Sequence, residues 1–141
     1  MIAERVFVDT NILVYAYDRS AGEKHHRAAT LLSQLWDKGG AIISTQVLQE
    51  FAVVSTRKLS KPLSVEQVCG IITDLTTWEV VVLSPQFTLD ALKLTKTKQL
   101  SFWDAMIITA AIKGAATVLY SEDLGHGCTI AGVRVNNPLA G

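Results

Sequence analysis

The sequence predicts an α/β domain in which a mostly parallel central β-sheet is flanked by helices on both faces. Short runs rich in valine and isoleucine alternate along the chain with longer segments whose apolar residues recur at helical spacing. The runs are apolar at consecutive positions, which is typical of parallel strands covered on both sides. With 141 residues, 49% of them hydrophobic, the chain has the size and apolar content of one domain, predicted to span residues 1–141.

The first half of the chain is predicted to hold two strands and three helices. The strands are predicted at 6–8 and 41–44, and the helices directly after 9–11, over 23–38 and over 45–58. Asp9 opens a group of residues that favour helix N-termini. Gly39-Gly40 ends the second helix as a C-terminal cap does.

The second half is predicted to hold three more helices and three more strands. The helices are predicted over 64–77, 85–98 and 102–113, and the strands at 79–83, 117–120 and 133–135. Ser64, followed by Glu66 and Gln67, is typical of a capped helix start. The uninterrupted apolar run at 79–83 is interpreted as a fully buried strand.

Composition excludes several classes of protein. The chain has 13 basic and 13 acidic residues and a net charge of +0, so it lacks the overall basic field of a histone-like protein. Cys69 and Cys128 have no ligand-like or disulfide-like spacing and are predicted to be buried free thiols. The N-terminal residues do not resemble a secretory signal, and no apolar run is long enough to cross a membrane. We therefore expect a cytoplasmic protein without membrane association.

Two acidic residues follow predicted strands. Asp9 comes directly after the run at 6–8, and Asp123 closes the Ser121-Glu122-Asp123 sequence after the run at 117–120. Ligands of parallel sheets bind beyond the carboxyl ends of the strands, so these acids are predicted at one edge of the sheet. Each has an ordinary alternative, because Asp9 could act only as a helix cap and Asp123 only as a turn residue.

Two further acids lie on apolar faces of predicted helices. Asp104 stands in the first turn of a helix that is apolar nearly all round, and Glu50 lies on a stripe with Val47 and Val54. An unpaired charge in such company is costly to desolvate. The ordinary alternatives are that Asp104 only complements the helix dipole and that Glu50 only pairs with Arg57.

The four acids together predict a cation site. Carboxylates that converge repel one another, and a hard divalent ion with oxygen ligands, such as Mg²⁺ or Mn²⁺, relieves that repulsion. A zinc site is disfavoured, because His25 and His26 lie far along the chain from the four acids. His126, between two glycines, is interpreted as a loop residue rather than a general base.

Four ordered motifs carry a resemblance that covers essentially the whole chain. They are FVDTNILVY around Asp9, ISTQVLQEF around Glu50, SFWDAMIITAA around Asp104 and LYSEDLGHG around Asp123, with VRVNNP near the end. In these motifs the chain resembles the PIN-domain nucleases and, within them, the VapC-like toxins of toxin–antitoxin pairs. The specificity of the match lies in the four motifs together, because none of them alone would be specific.

The resemblance implies a PIN-like fold and a metal-dependent endoribonuclease. It implies that Asp9, Glu50, Asp104 and Asp123 are catalytic and hold Mg²⁺ or Mn²⁺, and that Thr10, Asn11 and Ser121 orient carboxylates or water. RNA phosphodiester bonds would be hydrolysed by metal-activated water, leaving 5′-phosphate and 3′-hydroxyl ends. The resemblance further implies a toxin of a type II toxin–antitoxin system, with RNA as substrate, a small antitoxin as partner and a homodimeric assembly.

Basic and aromatic residues offer candidate RNA contacts. The basic clusters are Lys93, Lys96 and Lys98, and Arg57, Lys58 and Lys61. Either cluster could bind phosphates, and either could equally be a solvated helix end. The aromatic candidates for base stacking are Tyr15, Tyr17 and Trp103, for which packing in the core is the favoured interpretation.

Two other kinds of function fit the sequence less well or stay open. Haloacid-dehalogenase-type phosphatases need a second aspartate where Asn11 stands, and receiver domains need an acidic pair and a late lysine that the chain lacks. A catalytically silent PIN-like scaffold that binds RNA or protein stays open. Chelation of metal separates the two, because a nuclease loses cleavage and a scaffold keeps its affinity.

Overall fold

The computed structural model describes residues 4–140, so residues 1–3 and 141, the ends of the predicted domain, lie outside the described residues. Within that range strands and α-helices alternate, with one 3₁₀ turn at Arg19–Ala21. The strands are β1 (Val6–Val8), β2 (Ala41–Ser44), β3 (Glu79–Val81), β4 (Val118–Tyr120), β5 (Thr129–Ile130) and β6 (Val133–Asn136). The helices are α1 (Thr10–Tyr17), α2 (Glu23–Lys38), α3 (Thr45–Arg57), α4 (Val65–Leu75), α5 (Pro85–Lys98) and α6 (Phe102–Lys113).

The strands form one sheet in the order β3-β2-β1-β4-β6-β5. All neighbouring strands are parallel except β5 and β6. β1 lies between β2 and β4, so that Val6 pairs with both Ala41 and Val118 and Val8 pairs with Tyr120. Because these strands run in the same direction, the residues that follow them meet at one edge of the sheet. The predicted mostly parallel sheet is confirmed.

The core surrounds the central strands. Successive side chains of a strand point to opposite faces, and every residue of β1 and β2 is buried. In α6 every residue from Ala105 to Ala111 is buried, and this helix contacts β2 and packs against α5. Among the helices of the first half of the chain, α1 packs against α2 and α3. Both faces of the central strands are therefore covered, as the sequence predicts.

Helix starts lie where the sequence predicts caps. The Asp9 side chain caps α1, Ser64 and Gln67 form a reciprocal capping box at α4, and the Ser101 side chain accepts the Asp104 backbone N–H at α6. Such caps satisfy backbone N–H groups that have no partner within the helix, and each contributes about 1 kcal/mol. None of the helices in the described range combines the length and apolar character that a membrane crossing requires.

One predicted strand differs from the structure in its burial. The run at 79–83 is predicted to be fully buried, but β3 ends at Val81, Glu79 is exposed and Val82 is 71% exposed. The reason is that β3 is an edge strand paired only with β2. An apolar run does not distinguish an edge strand from a central one. β5 is absent from the prediction because its two residues give no periodic signal.

The prediction of buried thiols is wrong for both cysteines. Cys69 and Cys128 are exposed and free. Cys69 lies on α4, where the buried positions are Val68 and Leu75, so the thiol falls outside the packed stripe of that helix. Cys128 lies in the loop before β5, and its Sγ donates to the Gly125 carbonyl at 3.0 Å. Burial preference by residue type is a weak guide where the tertiary position is unknown.

We expect Gly40→Ala to destabilise the protein more than Gly39→Ala. Both glycines have positive φ, 79° at Gly39 and 83° at Gly40, so alanine is strained at either position. Only at Gly40 would the added Cβ lie 2.6 Å from the Glu4 carbonyl oxygen, whereas nothing lies within 4 Å at Gly39. We expect Gly40→Ala to lose roughly 1 to 3 kcal/mol more in the free energy of unfolding, measured by urea denaturation. Equal losses would contradict the close approach of the Glu4 backbone.

Candidate functional site

A cleft of about 750 Å³ opens at the edge of the sheet where β1 ends, and all four predicted acids line it. Asp9 joins β1 to α1, and Asp123 lies in the loop that follows β4. Glu50 comes from α3, and Asp104 comes from the first turn of α6. Residues that lie far apart in the sequence are therefore brought to one opening, as the strand-end argument predicts.

Asp9 is the most constrained of the four acids. Its backbone N–H donates to the Tyr120 carbonyl at 2.9 Å, which continues the β1–β4 pairing. One carboxylate oxygen, Oδ1, accepts the Thr10 N–H at 2.7 Å, and the other, Oδ2, accepts the Ser121 hydroxyl at 2.8 Å. The side chain is thus fixed by two donors, and the residue is only 8% exposed.

The surroundings of Asp9 disfavour its charge. The pKa of Asp9 is raised to about 6, chiefly by burial and to a smaller extent by the nearby carboxylates of Glu50 and Asp123. The hydrogen bonds from Ser121 and Thr10 oppose that rise, because they stabilise the ionised form. The competition leaves a carboxylate that is charged at neutral pH in an environment that favours a nearby cation.

Neutral side chains hold two of the other acids. The Thr10 hydroxyl donates to Glu50 Oε1 at 2.7 Å, so the structure pairs Glu50 with Thr10 rather than with Arg57. The Asn11 amide donates from Nδ2 to Asp123 Oδ2 at 3.0 Å. Ser121, through its Oγ, also accepts the Asp123 backbone N–H at 3.2 Å.

The residues predicted to orient the acids, Thr10, Asn11 and Ser121, therefore all contact them. Their role toward a metal remains a prediction, since these contacts are to carboxylates. The Asp104 side chain is half-buried and lines the cleft beside the three other acids.

None of the ion pairs among residues 4–140 involves the four acids. Glu122, which directly precedes Asp123, shows the contrast. Its carboxylate binds Lys24 Nζ at 2.6 Å and accepts the Tyr15 hydroxyl at 2.9 Å. Its charge is thereby neutralised, whereas Asp9, Glu50 and Asp123 are oriented by uncharged donors and have no cationic partner among residues 4–140.

The donors fit a hard divalent cation in chemistry but not in spacing. In the described part of the chain no group of three or more His, Cys, Asp or Glu side chains is close enough to hold a metal ion. Carboxylate oxygens without cationic partners are nevertheless the ligand type that Mg²⁺ and Mn²⁺ prefer. The Thr10 and Asn11 side chains each donate to a single oxygen of Glu50 and Asp123, so that the second carboxylate oxygen stays available as a ligand.

Gln46 is a polar residue of the cleft that the sequence analysis missed. It lines the cleft and is 5% exposed, and its amide Oε1 and Nε2 are buried without a hydrogen-bond partner among residues 4–140. An unpaired buried amide is costly, and such a group calls for a bound ion, ligand or water. Its position four residues before Glu50, on the same helix face, was the available signal.

Comparison with known proteins places the chain in a family. The model of the PIN domain family matches residues 6–126. The chain belongs to the PIN domain family. Among curated protein sequences, none matches this chain.

Solved structures of PIN-domain toxins and their complexes share the fold. VapC20 of Mycobacterium tuberculosis, described as a sarcin-ricin loop cleaving toxin, has a TM-score of 0.61 and 19% identity, covering 84% of this chain and 89% of that one. A toxin–antitoxin complex from Klebsiella pneumoniae has a TM-score of 0.68 and 21% identity, and the match covers 94% of this chain and 97% of that one. VapBC2 from Rickettsia felis, bound to a promoter DNA fragment, has a TM-score of 0.63 and 22% identity, and the match again covers 94% of this chain and 97% of that one. At these identities the likeness shows the shared fold.

Of the aromatic and basic residues considered as RNA contacts, the structure places some at the cleft and others away from it. Tyr17 is half-buried and packs edge-on against Phe51 at 5.7 Å between ring centroids, which confirms core packing for this residue. Core packing is wrong for Trp103, which is 63% exposed and lines the cleft, because it falls outside the buried face of α6. Among the predicted basic clusters, Lys58 lines the cleft. His126 is exposed in a loop, as predicted.

We expect Asp9→Asn to stabilise the metal-free protein at pH 8 but not at pH 3. Because the folded-state pKa is raised from 3.8 to about 6, the folded protein binds this proton more tightly than the unfolded chain does. Stability is therefore lost as pH rises between those values, and removing the charge restores roughly 2 to 3 kcal/mol above them. Thermal and urea denaturation in EDTA would measure this gain. The exposed carboxylate of Asp123 provides the control, and Asp123→Asn should gain much less.

We expect Gln46→Met to raise the free energy of unfolding of the metal-free protein by roughly 1 to 3 kcal/mol, because it removes an unpaired buried amide and keeps the side-chain length. Gln49→Met is the matched control, since Gln49 lies on the same helix and lines the same cleft but is exposed. Its effect should stay within about 0.5 kcal/mol. Urea denaturation in EDTA measures both variants. A loss of stability in Gln46→Met would mean that solvent pairs the buried amide.

Proposed function

We propose that the chain is a Mg²⁺- or Mn²⁺-dependent endoribonuclease and the toxin of a type II toxin–antitoxin system. The observation that carries this proposal is the cleft that Asp9, Glu50, Asp104 and Asp123 line together, with no cationic partner for any of them among residues 4–140. Four carboxylates that line one opening repel one another, and this repulsion costs stability. In this proposal the negative charge of the four acids binds a divalent cation and, with it, a phosphodiester.

In this proposal the four acids hold the metal, and the residues around them fix their orientation. When bound, a divalent ion supplies an acidified water as nucleophile and neutralises charge on the phosphodiester. Ser121 and Thr10 hold the Asp9 carboxylate in one orientation, and their hydrogen bonds favour its ionised form. Asn11 positions Asp123 in the same way, through a neutral amide that leaves the carboxylate its charge. The chain's own groups therefore supply ligands and their alignment.

We also propose a partner and an assembly for this chain. The complex from Klebsiella pneumoniae is a toxin–antitoxin complex, and VapBC2 from Rickettsia felis is bound to promoter DNA. Because these structures match this chain over 94% of its length, we propose that it too binds a small antitoxin. We further propose a homodimer, on the resemblance to VapC-like toxins. RNA is the proposed substrate, and the structural likeness to VapC20, a sarcin-ricin loop cleaving toxin, supports that class.

We expect purified protein to cut total cellular RNA into discrete fragments with Mg²⁺ or Mn²⁺ and to leave it intact in EDTA. Asp104→Asn and Asp9→Asn should abolish cleavage, because each removes a charged ligand from the acidic cluster. Both variants should keep the fold, since loss of one repelling carboxylate relieves strain in the cluster. Gel analysis of the RNA measures cleavage, and circular dichroism verifies the fold.

Sequencing of the fragment ends tests the chemistry. Ends with 5′-phosphate and 3′-hydroxyl groups are expected from attack by water, whereas cyclic phosphate ends would contradict it. Asp37→Asn is a suitable control, because Asp37 is an exposed acid of α2 outside the cleft and should cut like the parent. RNA binding that survives EDTA without any cleavage by the parent would favour the silent scaffold instead.

A further inference from the structure

The cleft has polar and apolar parts that are built from the same helices. In each of α1, α3 and α6 a polar residue of the site is followed at helical spacing by an apolar residue that also lines the cleft. The pairs are Asn11 and Val14, Glu50 with Val53 and Val54, and Asp104 and Ile107. Residues three or four apart share one face of a helix, and a turn rises about 5.4 Å. The apolar lining thus lies about one turn from the acids.

Trp103 adds a large aromatic surface to this lining. It precedes Asp104 in α6, lines the cleft and is 63% exposed, although the residues of the helix from Ala105 to Ala111 are buried. The ring contacts Phe102 edge-on, with 5.1 Å between centroids and 75° between planes, which restrains its orientation. Val53 beside it in the lining is 50% exposed. Apolar surface left in water at a functional opening marks a place where a ligand binds.

Charge limits what this ligand can be. Within the described residues, Lys58 is the one basic side chain in a lining that holds five acids, counting Asp18 with the four candidates. Such a cleft repels the phosphates of a nucleic acid, so lysine and arginine contacts do not supply its affinity there. The bases are uncharged and have apolar faces that stack on aromatic side chains. In a duplex those faces are already stacked, so only an unpaired base is free to bind.

We propose that Trp103, with the wall formed by Val14, Val53 and Val54, binds the unpaired base of a nucleotide next to the phosphodiester that the acids receive. The proposal rests on the proposed nuclease function and adds to it a base-binding subsite built on Trp103. A base fits this lining because it is uncharged and presents an aromatic face to Trp103, which lines the same cleft as Asp104. A nucleotide has the same arrangement, with an anionic phosphate and a planar base separated by the sugar.

Fluorescence anisotropy of a labelled single-stranded RNA of mixed sequence tests this subsite. The measurements use full-length Asp9→Asn protein in Mg²⁺, so that the RNA stays intact, and gel analysis verifies that it does. Added to this background, Trp103→Ala should weaken RNA binding roughly 5- to 150-fold, the range found when an aromatic platform is removed. Trp103→Phe should retain most of the affinity, because it keeps an aromatic face. Leu92→Ala, which truncates a 52% exposed side chain outside the cleft lining, should leave affinity unchanged.

A second readout reports on the indole directly. Trp36 and Trp78 pack against each other with 4.8 Å between centroids and do not line the cleft, so quenching of tryptophan fluorescence by the RNA should depend on Trp103. The quenching should disappear in Trp103→Phe and should be weak when the RNA is annealed to its complement.

Unchanged RNA affinity in Trp103→Ala, or equal affinity for the duplex, would overturn the subsite. So would a variant that keeps RNA affinity but no longer binds a co-expressed small protein, because the wall would then serve that protein. Cleavage by the parent chain, with Asp9 intact, distinguishes a wrong subsite from a wrong proposed function. If the parent cleaves RNA with Mg²⁺ while Trp103→Ala binds RNA normally, the nuclease function is supported and only the subsite is wrong.

Discussion

The parallel pairing of β1 with β4 is the constraint on which the rest of the site depends. It brings Asp9 beside Ser121 across 112 positions of the sequence, with the Asp9 N–H on the Tyr120 carbonyl and the Ser121 hydroxyl on the Asp9 carboxylate. Because β1 lies in the middle of the sheet, the residue at its end is buried. The burial that makes the fold stable is therefore also what raises the pKa of Asp9.

The acids of the cleft are oriented without being neutralised. Thr10 and Asn11 donate hydrogen bonds to Glu50 and Asp123, and neither donor carries charge. Glu122, one position before Asp123, is instead tied to Lys24 and so takes no part in the accumulation of negative charge. Neutral donors preserve the electrostatic potential that attracts a cation, whereas a lysine would cancel it. The partner of each side chain thus distinguishes Glu50 and Asp123, which keep their charge, from Glu122, whose charge is compensated.

The negative charge of the cleft also limits how it can bind a polyanion. A lining rich in carboxylates repels phosphate, so binding of a nucleic acid depends on a cation and on uncharged surfaces. The valines and the exposed Trp103 are such surfaces: they lie on α1, which Asp9 caps, on α3, which carries Glu50, and on α6, which carries Asp104. The proposed chemistry and the proposed recognition would therefore share three helices, so that a change in helix packing would affect both. The buried amide of Gln46, on α3 one turn before Glu50, adds a polar group at this junction.

The sequence by itself determined the alternation of strands and helices, the helix starts at Asp9, Ser64 and Ser101, and the presence of acids at strand ends and on apolar helix faces. These features are local, because periodicity and capping depend on residues within one or two turns. Tertiary structure decided that β3 is an edge strand, that both cysteines are exposed and that Trp103 faces the cleft. It also decided that Glu50 binds Thr10 and that the Gln46 amide is buried without a partner. Each of these depends on which distant segment packs alongside, and a pattern within one segment carries no information about its neighbour.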